Sequence, residues 1–185
     1  MGGPVHHPPE TGHVDLSMTR CVLEALRAAG VAASDPAIVR SLSYLQRSQN
    51  PDGGFYFSAV NPEINKAGET DGHFQSYGTA TADGVLALRA AGFSDTDSRI
   101  ANAVKWLRDR HQPHRAPGFD SGPRESWASG LRFYYAGVIA QALPDLPITL
   151  PPQSEDGGYR NSNKMVKEDD PLIATPFAIR TLLRQ

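Results

Sequence analysis

Apolar residues recur along most of the chain at intervals of three, four and seven, the spacing of helices that bury one face, and not at the interval of two that marks strands. Leu16, Leu23 and Leu26 share a stripe in a segment predicted to be helical from Asp15 to Ala29. Asp15 or Ser17 is its capping residue, and Gly30 is placed to stop it. A second helix is predicted from Pro36 to Gln49, where "SDP" supplies a cap followed by proline in the first turn and Ile38, Leu42, Leu45 and Gln49 fall on one face. The segment Gly78 to Ala91 is apolar nearly all round, through Ala80, Ala82, Val85, Leu86, Leu88 and Ala90, as expected of a helix packed on both sides. No strand pattern stands out.

The hexamer "ALRAAG" occurs at Ala25 to Gly30 and again at Ala87 to Gly92, an offset of 62 residues. At the same offset Thr19 falls on Thr81, Asp35 on Asp97, Ile38 on Ile100, Leu42 on Val104, Tyr44 on Trp106, Leu45 on Leu107 and Pro51 on Pro113. The repeating unit is therefore a helical hairpin whose first helix is inner and whose second is outer. A third unit opens with a helix predicted from Trp127 to Leu143, but "PDLPITLPPQS" leaves little room for its partner. A last helix, roughly Pro171 to Leu183 with Asp170 as its cap, brings the predicted count to six, and Pro176 either kinks it or delays its start.

At the end of the second helix stands "YLQRSQNPDGGF". Its amides, Gln46 and Gln49, can satisfy helix carbonyls and neighbouring N–H groups together, and "NPDGG" turns the chain sharply so that Phe55 can fold back. Tyr44, Leu45, Gln49, Gly53 and Phe55, with Arg40 ahead of them, resemble the QW motif of the squalene-hopene cyclase and protein prenyltransferase superfamily. A second copy keeps Trp106 and Leu107 but has His111 in place of the glutamine and a loop stretched to Gly118 and Phe119; a third keeps Gln153, Gly157 and Tyr159. The stretches "KAGETDGHFQSYGTATADGVLAL" and "KEDDPLIATPFAIRTLL" also resemble bacterial squalene-cyclase-like repeat proteins. The resemblance implies an all-α fold of α/α hairpin repeats forming part of an (α/α) toroid, with the QW elements tying hairpins together. About six helices make an incomplete ring, so self-association or a missing N-terminal half is expected.

Composition narrows the function classes. With 39% hydrophobic and 21% charged residues the chain reads as one globular domain, assigned to residues 15–185 after a flexible tail at 1–14. A formal charge of -2 offers no field for nucleic acid. No apolar run is long enough to span a membrane, and the opening residues hold no signal-type apolar stretch. The compartment stays open, with the cytoplasm as default and export if the start is truncated. Cys21, the single cysteine, reads as a small buried hydrophobe. His6 and His7 read as tail.

Squalene cyclases protonate an alkene with an aspartate-rich D-x-D-D motif, and neither "DTDS" at Asp95 to Ser98 nor "KEDD" at Lys167 to Asp170 matches it. Asp97 and Asp170 sit where helix caps belong. Prenyltransferase zinc needs an Asp, Cys and His set that Cys21 lacks, and "HQPH", His111 to His114, has no nearby third ligand, so neither metal nor cofactor is expected. The segment from Asn50 to Ser76 is the best function-bearing loop and carries Tyr56, Asn61, Glu63, Glu69, Asp71 and His73. Tyr77, Phe133, Tyr134 and Tyr135 are candidates to line an aromatic cavity for an isoprenoid, where cation–π contacts stabilise a carbocation. The leading expectation is a squalene-cyclase-like binding or scaffold domain for an apolar small molecule or a protein partner. The rival is a terpenoid cyclase or prenyltransferase-type enzyme, or its C-terminal half, whose acid is Asp71, Asp83 or Asp120 or comes from a missing N-terminal half. A plain helical solenoid that binds peptides is the third reading.

Overall fold

The computed structural model describes residues 14–119 and 122–184, so all but the last residue of the expected N-terminal tail lies outside the described residues, as does Asp120. The helices are α1 (Leu16–Ala28), α2 (Pro36–Arg47), α3 (Gly78–Ala90), α4 (Ser98–Arg110), α5 (Ser126–Gly130), α6 (Arg132–Ala142) and α7 (Pro171–Leu182). The expected aspartates cap four of them. Asp15 accepts from the N–H of Met18, Asp35 from that of Ala37, Asp97 from that of Arg99 and Asp170 from that of Leu172.

α3 is the centre of the molecule, packed against α1, α4 and α6, while α6 packs in turn on α7. The order α1, α3, α6, α7 is a row of inner helices, and α2 and α4 lie on it as a second layer. This explains why α3 has no polar face: every residue from Gly78 to Leu88 is buried. Helices at the ends of a row lack a neighbour on one side. On α1 Met18 is 56% exposed and Cys21 is exposed too, which corrects the expectation that this cysteine is buried; on α7 Leu172 is 82% exposed.

Two further differences from the sequence expectations have local causes. The helix expected from Trp127 to Leu143 divides at Leu131 into α5 and α6, giving seven α-helices among the described residues rather than six. A carboxylate from elsewhere caps the second piece: Glu168, buried in the segment before α7, accepts from the N–H groups of Phe133 (2.9 Å) and Tyr134 (2.8 Å). The long loop also contains a small hairpin, β1 (Glu69–Thr70) antiparallel to β2 (His73–Phe74). Its two-residue turn is Asp71 (φ 51°) and Gly72 (φ 76°), the positive-φ pair a tight hairpin requires. α7 runs unbroken through Pro176.

The turn after α2 ties the two layers together. The Gln49 amide donates to the carbonyls of Gly53 (3.0 Å) and Arg99 (2.9 Å), joining the end of α2 to the start of α4. Gly53 (φ 89°) lies so close to α4 that a Cβ there would stand 2.8 Å from the Asn102 carbonyl oxygen. Asp52 accepts from the Gly54 N–H, the Ser76 hydroxyl and the Trp106 indole. His111, at the position equivalent to Gln49, lies 2.9 Å from the Tyr135 hydroxyl and 2.7 Å from the Pro147 carbonyl. Because that carbonyl only accepts, Nε2 carries the proton and Nδ1 accepts from Tyr135. Around residue 153 the first pattern returns: Gln153 donates to the Gly157 carbonyl and Asp156 accepts from Gly158. The backbone N–H of Tyr159 donates to Thr175 as that of Phe55 does to Thr81. Replacing Gln49 with Ala leaves two carbonyls without this donor and is expected to cost about 1–3 kcal/mol, measured by urea denaturation.

Candidate functional site

The first turns of three inner helices meet along one edge of the row, where those helices begin. Ser17 of α1, Tyr77 and Thr79 at the start of α3, and Leu131 and Tyr134 around the start of α6 face a cavity of about 190 Å³. Phe57 and Lys66 from the long loop, with Val166 from the segment before α7, close it. A second, outer cavity of about 340 Å³ shares Phe57 and Lys66 and is lined further by Glu63, Ile64, Asn65, Arg124 and Trp127.

Lys66 stands between the two. Its ammonium lies 3.4 Å from the centroid of the Phe57 ring and 5.9 Å from that of Trp127, a cation held against aromatic faces. It forms no ion pair with any described residue, and burial brings its pKa down to about 8 against the pull of Asp15 and Asp83. Tyr77 is fully buried and its hydroxyl has no hydrogen-bond partner among the described residues. Burial holds that phenol well above the ordinary tyrosine range.

Behind the inner cavity a buried polar cluster links α1, α3 and α6. Arg20 Nε lies 3.0 Å from Asp83 Oδ1, with the two side chains 4% and 1% exposed. The contact is ionic but misaligned, since the Nε–H does not point along a hydrogen bond. The Tyr134 hydroxyl supplies the directed bond, 2.9 Å to Asp83 Oδ2, and the far end of Arg20 lies 3.5 Å from Glu24, which accepts from Gln141. Burial pushes the Asp83 carboxyl up to about 7 although Arg20 and Tyr134 both favour its ionised form. Arg20 stays charged: burial alone disfavours its cation, and Asp83, Tyr134 and Glu24 together more than offset that.

Of the aromatic residues expected to line a cavity, Tyr77 and Tyr134 do so. Phe133 packs edge-on to Tyr159, and Tyr135 is buried on His111. Of the candidate acids, Asp71 is exposed in the hairpin turn and Asp83 is sealed in the Arg20 cluster, while Asp120 lies outside the described residues. In a larger cleft of about 400 Å³ Asp52, Ser76 and Trp106 are bonded to one another in the tie described above, and the Arg110 guanidinium lies over the Trp106 ring. Among the described residues no group of three or more His, Cys, Asp and Glu side chains could hold a metal ion. No helix there is long and apolar enough to cross a membrane. Lys66 itself was missed by sequence reasoning. Its one signal is that no other Lys or Arg occurs between Arg47 and Arg89.

A row of inner helices backed by an outer layer, with a cavity where the inner helices begin, defines an all-α helical-hairpin repeat domain. The model of the squalene-hopene cyclase C-terminal domain matches residues 12–122, more than half of the chain, and the chain belongs to that family. No curated protein and no solved structure matched it in the same comparisons.

Proposed function

We propose that this domain is a non-catalytic binding module of the squalene-cyclase type, which takes an apolar, isoprenoid-like small molecule into the paired cavities at the start of the inner helix row. One observation carries this reading: the inner cavity is walled by Phe57, Tyr77, Leu131, Tyr134 and Val166, and no carboxyl group stands among its lining residues, the Glu63 carboxyl lining the outer cavity instead. An alkene-protonating acid must face its substrate. Asp83 is instead committed to Arg20 and Tyr134, and a carboxyl raised to about 7 is a feeble donor to a carbon base. Geraniol titrated into the full chain is expected to quench or shift the fluorescence of Trp127, which borders the outer cavity, with saturation. The same chain incubated with squalene or prenyl diphosphates is expected to give no cyclised or transferred product.

The enzyme reading retains one supporting observation. Tyr134 both lines the inner cavity and donates to Asp83, so a proton could pass between them. Product formed by the wild type and lost in Asp83→Asn would establish that reading and displace the binding module.

A further inference from the structure

Resting on the binding-module reading, we propose that the ligand carries a single carboxylate at one end, seated on the Lys66 ammonium with the Tyr77 hydroxyl as a second donor, and lays its hydrocarbon along Phe57, Leu131 and Val166. Three independent features meet at this place. Lys66 is a half-buried cation that feels Asp15 and Asp83 at a distance but makes no ion pair with a described residue, and a partly desolvated charge is retained at a cost unless something pairs with it. Phe57 and Trp127 shield its flanks but do not neutralise it. Tyr77 lines the same cavity, is 0% exposed and has an unpartnered hydroxyl, a donor that a bound acceptor would satisfy. Thr79 and Ser17 add hydroxyls to an otherwise apolar wall.

The charge of the ligand follows from the same inventory. One ammonium matches one negative charge. A phosphate or diphosphate would bring more charge than Lys66 can neutralise, because the Arg124 guanidinium does not line the inner cavity, donates to the Lys66 carbonyl, and shares the outer cavity with the Glu63 carboxylate.

Geraniol, geranic acid and geranyl phosphate share a carbon skeleton and differ at the head, which makes them the probes. In calorimetric titrations of the full chain near neutral pH, geranic acid is expected to bind at least about tenfold more tightly than geraniol, the factor one charge-assisted hydrogen bond supplies. Geranyl phosphate is expected to bind no better than the acid. Lys66→Met removes the ammonium that lies over Phe57 and is expected to erase the acid's advantage over geraniol. Tyr77→Phe removes an unsatisfied hydroxyl, so the unliganded chain should be as stable as the wild type or more so, yet bind geranic acid several-fold more weakly. Equal binding of acid and alcohol, tighter binding of the phosphate, or indifference of the acid to Lys66→Met would overturn the carboxylate assignment and leave the binding module standing. Failure of all three probes to bind overturns both.

Discussion

Asp83→Leu is expected to lower the unfolding free energy by about 3–5 kcal/mol, the cost of breaking a buried ion pair from one side. The leucine keeps the branched shape in a larger volume, leaves Arg20, 4% exposed, against hydrocarbon and strips the Tyr134 hydroxyl of its acceptor. The double variant Arg20→Met, Asp83→Leu is expected to recover most of that loss, because removing both charges removes the desolvation cost along with the attraction. If the double variant were as unstable as the single one, the cluster would owe its importance to shape rather than charge. Asp83→Asn separates the remaining component. The folded-state pKa of Asp83 is raised, so the stability it contributes is fully present below its unfolded value of 3.8 and is lost as pH rises through about 7. The asparagine keeps the acceptor and never ionises. At about pH 4 it is expected to match the wild type in urea denaturation, and it should not share the wild type's loss of stability between about pH 4 and 7.

That cluster shows where reading the chain as a line of letters stops being informative. The offset between the two "ALRAAG" copies, the caps at Asp35 and Asp97, and the all-apolar α3 were legible because each depends on residues close in sequence. Arg20, Asp83 and Tyr134 come from three different helices, and no local spacing brings them together. Asp83 was visible only as one acid among several, and its role depends on a guanidinium from α1. Lys66 looked like an ordinary loop lysine because charge in a sequence says nothing about burial. Glu168 reaches α6 from beyond a proline-rich stretch to cap a helix whose own start has no capping side chain, so the break at Leu131 left no mark in the periodicity. Cys21 misled for the opposite reason. Its neighbours are apolar, but α1 ends the inner row and turns that side outward.

Phe55 and Gly84 carry the other large effect. Phe55 is fully buried and follows the glycine turn at the end of α2; its ring lies on the backbone of α3 where Gly84 has no side chain, and a Cβ there would stand 2.6 Å from the ring. The Phe55 N–H donates to Thr81 one turn earlier on the same helix, so ring and backbone are fixed together. Phe55→Ala is expected to cost about 3–5 kcal/mol, since α3 is held on its other sides by α1, α4 and α6 and cannot move in to fill the space. Gly84→Ala is expected to cost about 1–3 kcal/mol by overpacking, despite the better helix propensity of alanine. The two effects share one volume and should not add. In a double-mutant cycle Gly84→Ala is expected to be nearly neutral, or stabilising, once Phe55 has been cut to leucine, because the methyl then enters space the ring has left. Strict additivity of the two changes would mean that the ring does not rest on Gly84, and the stacking of outer turn on inner helix would have to be assigned to other residues.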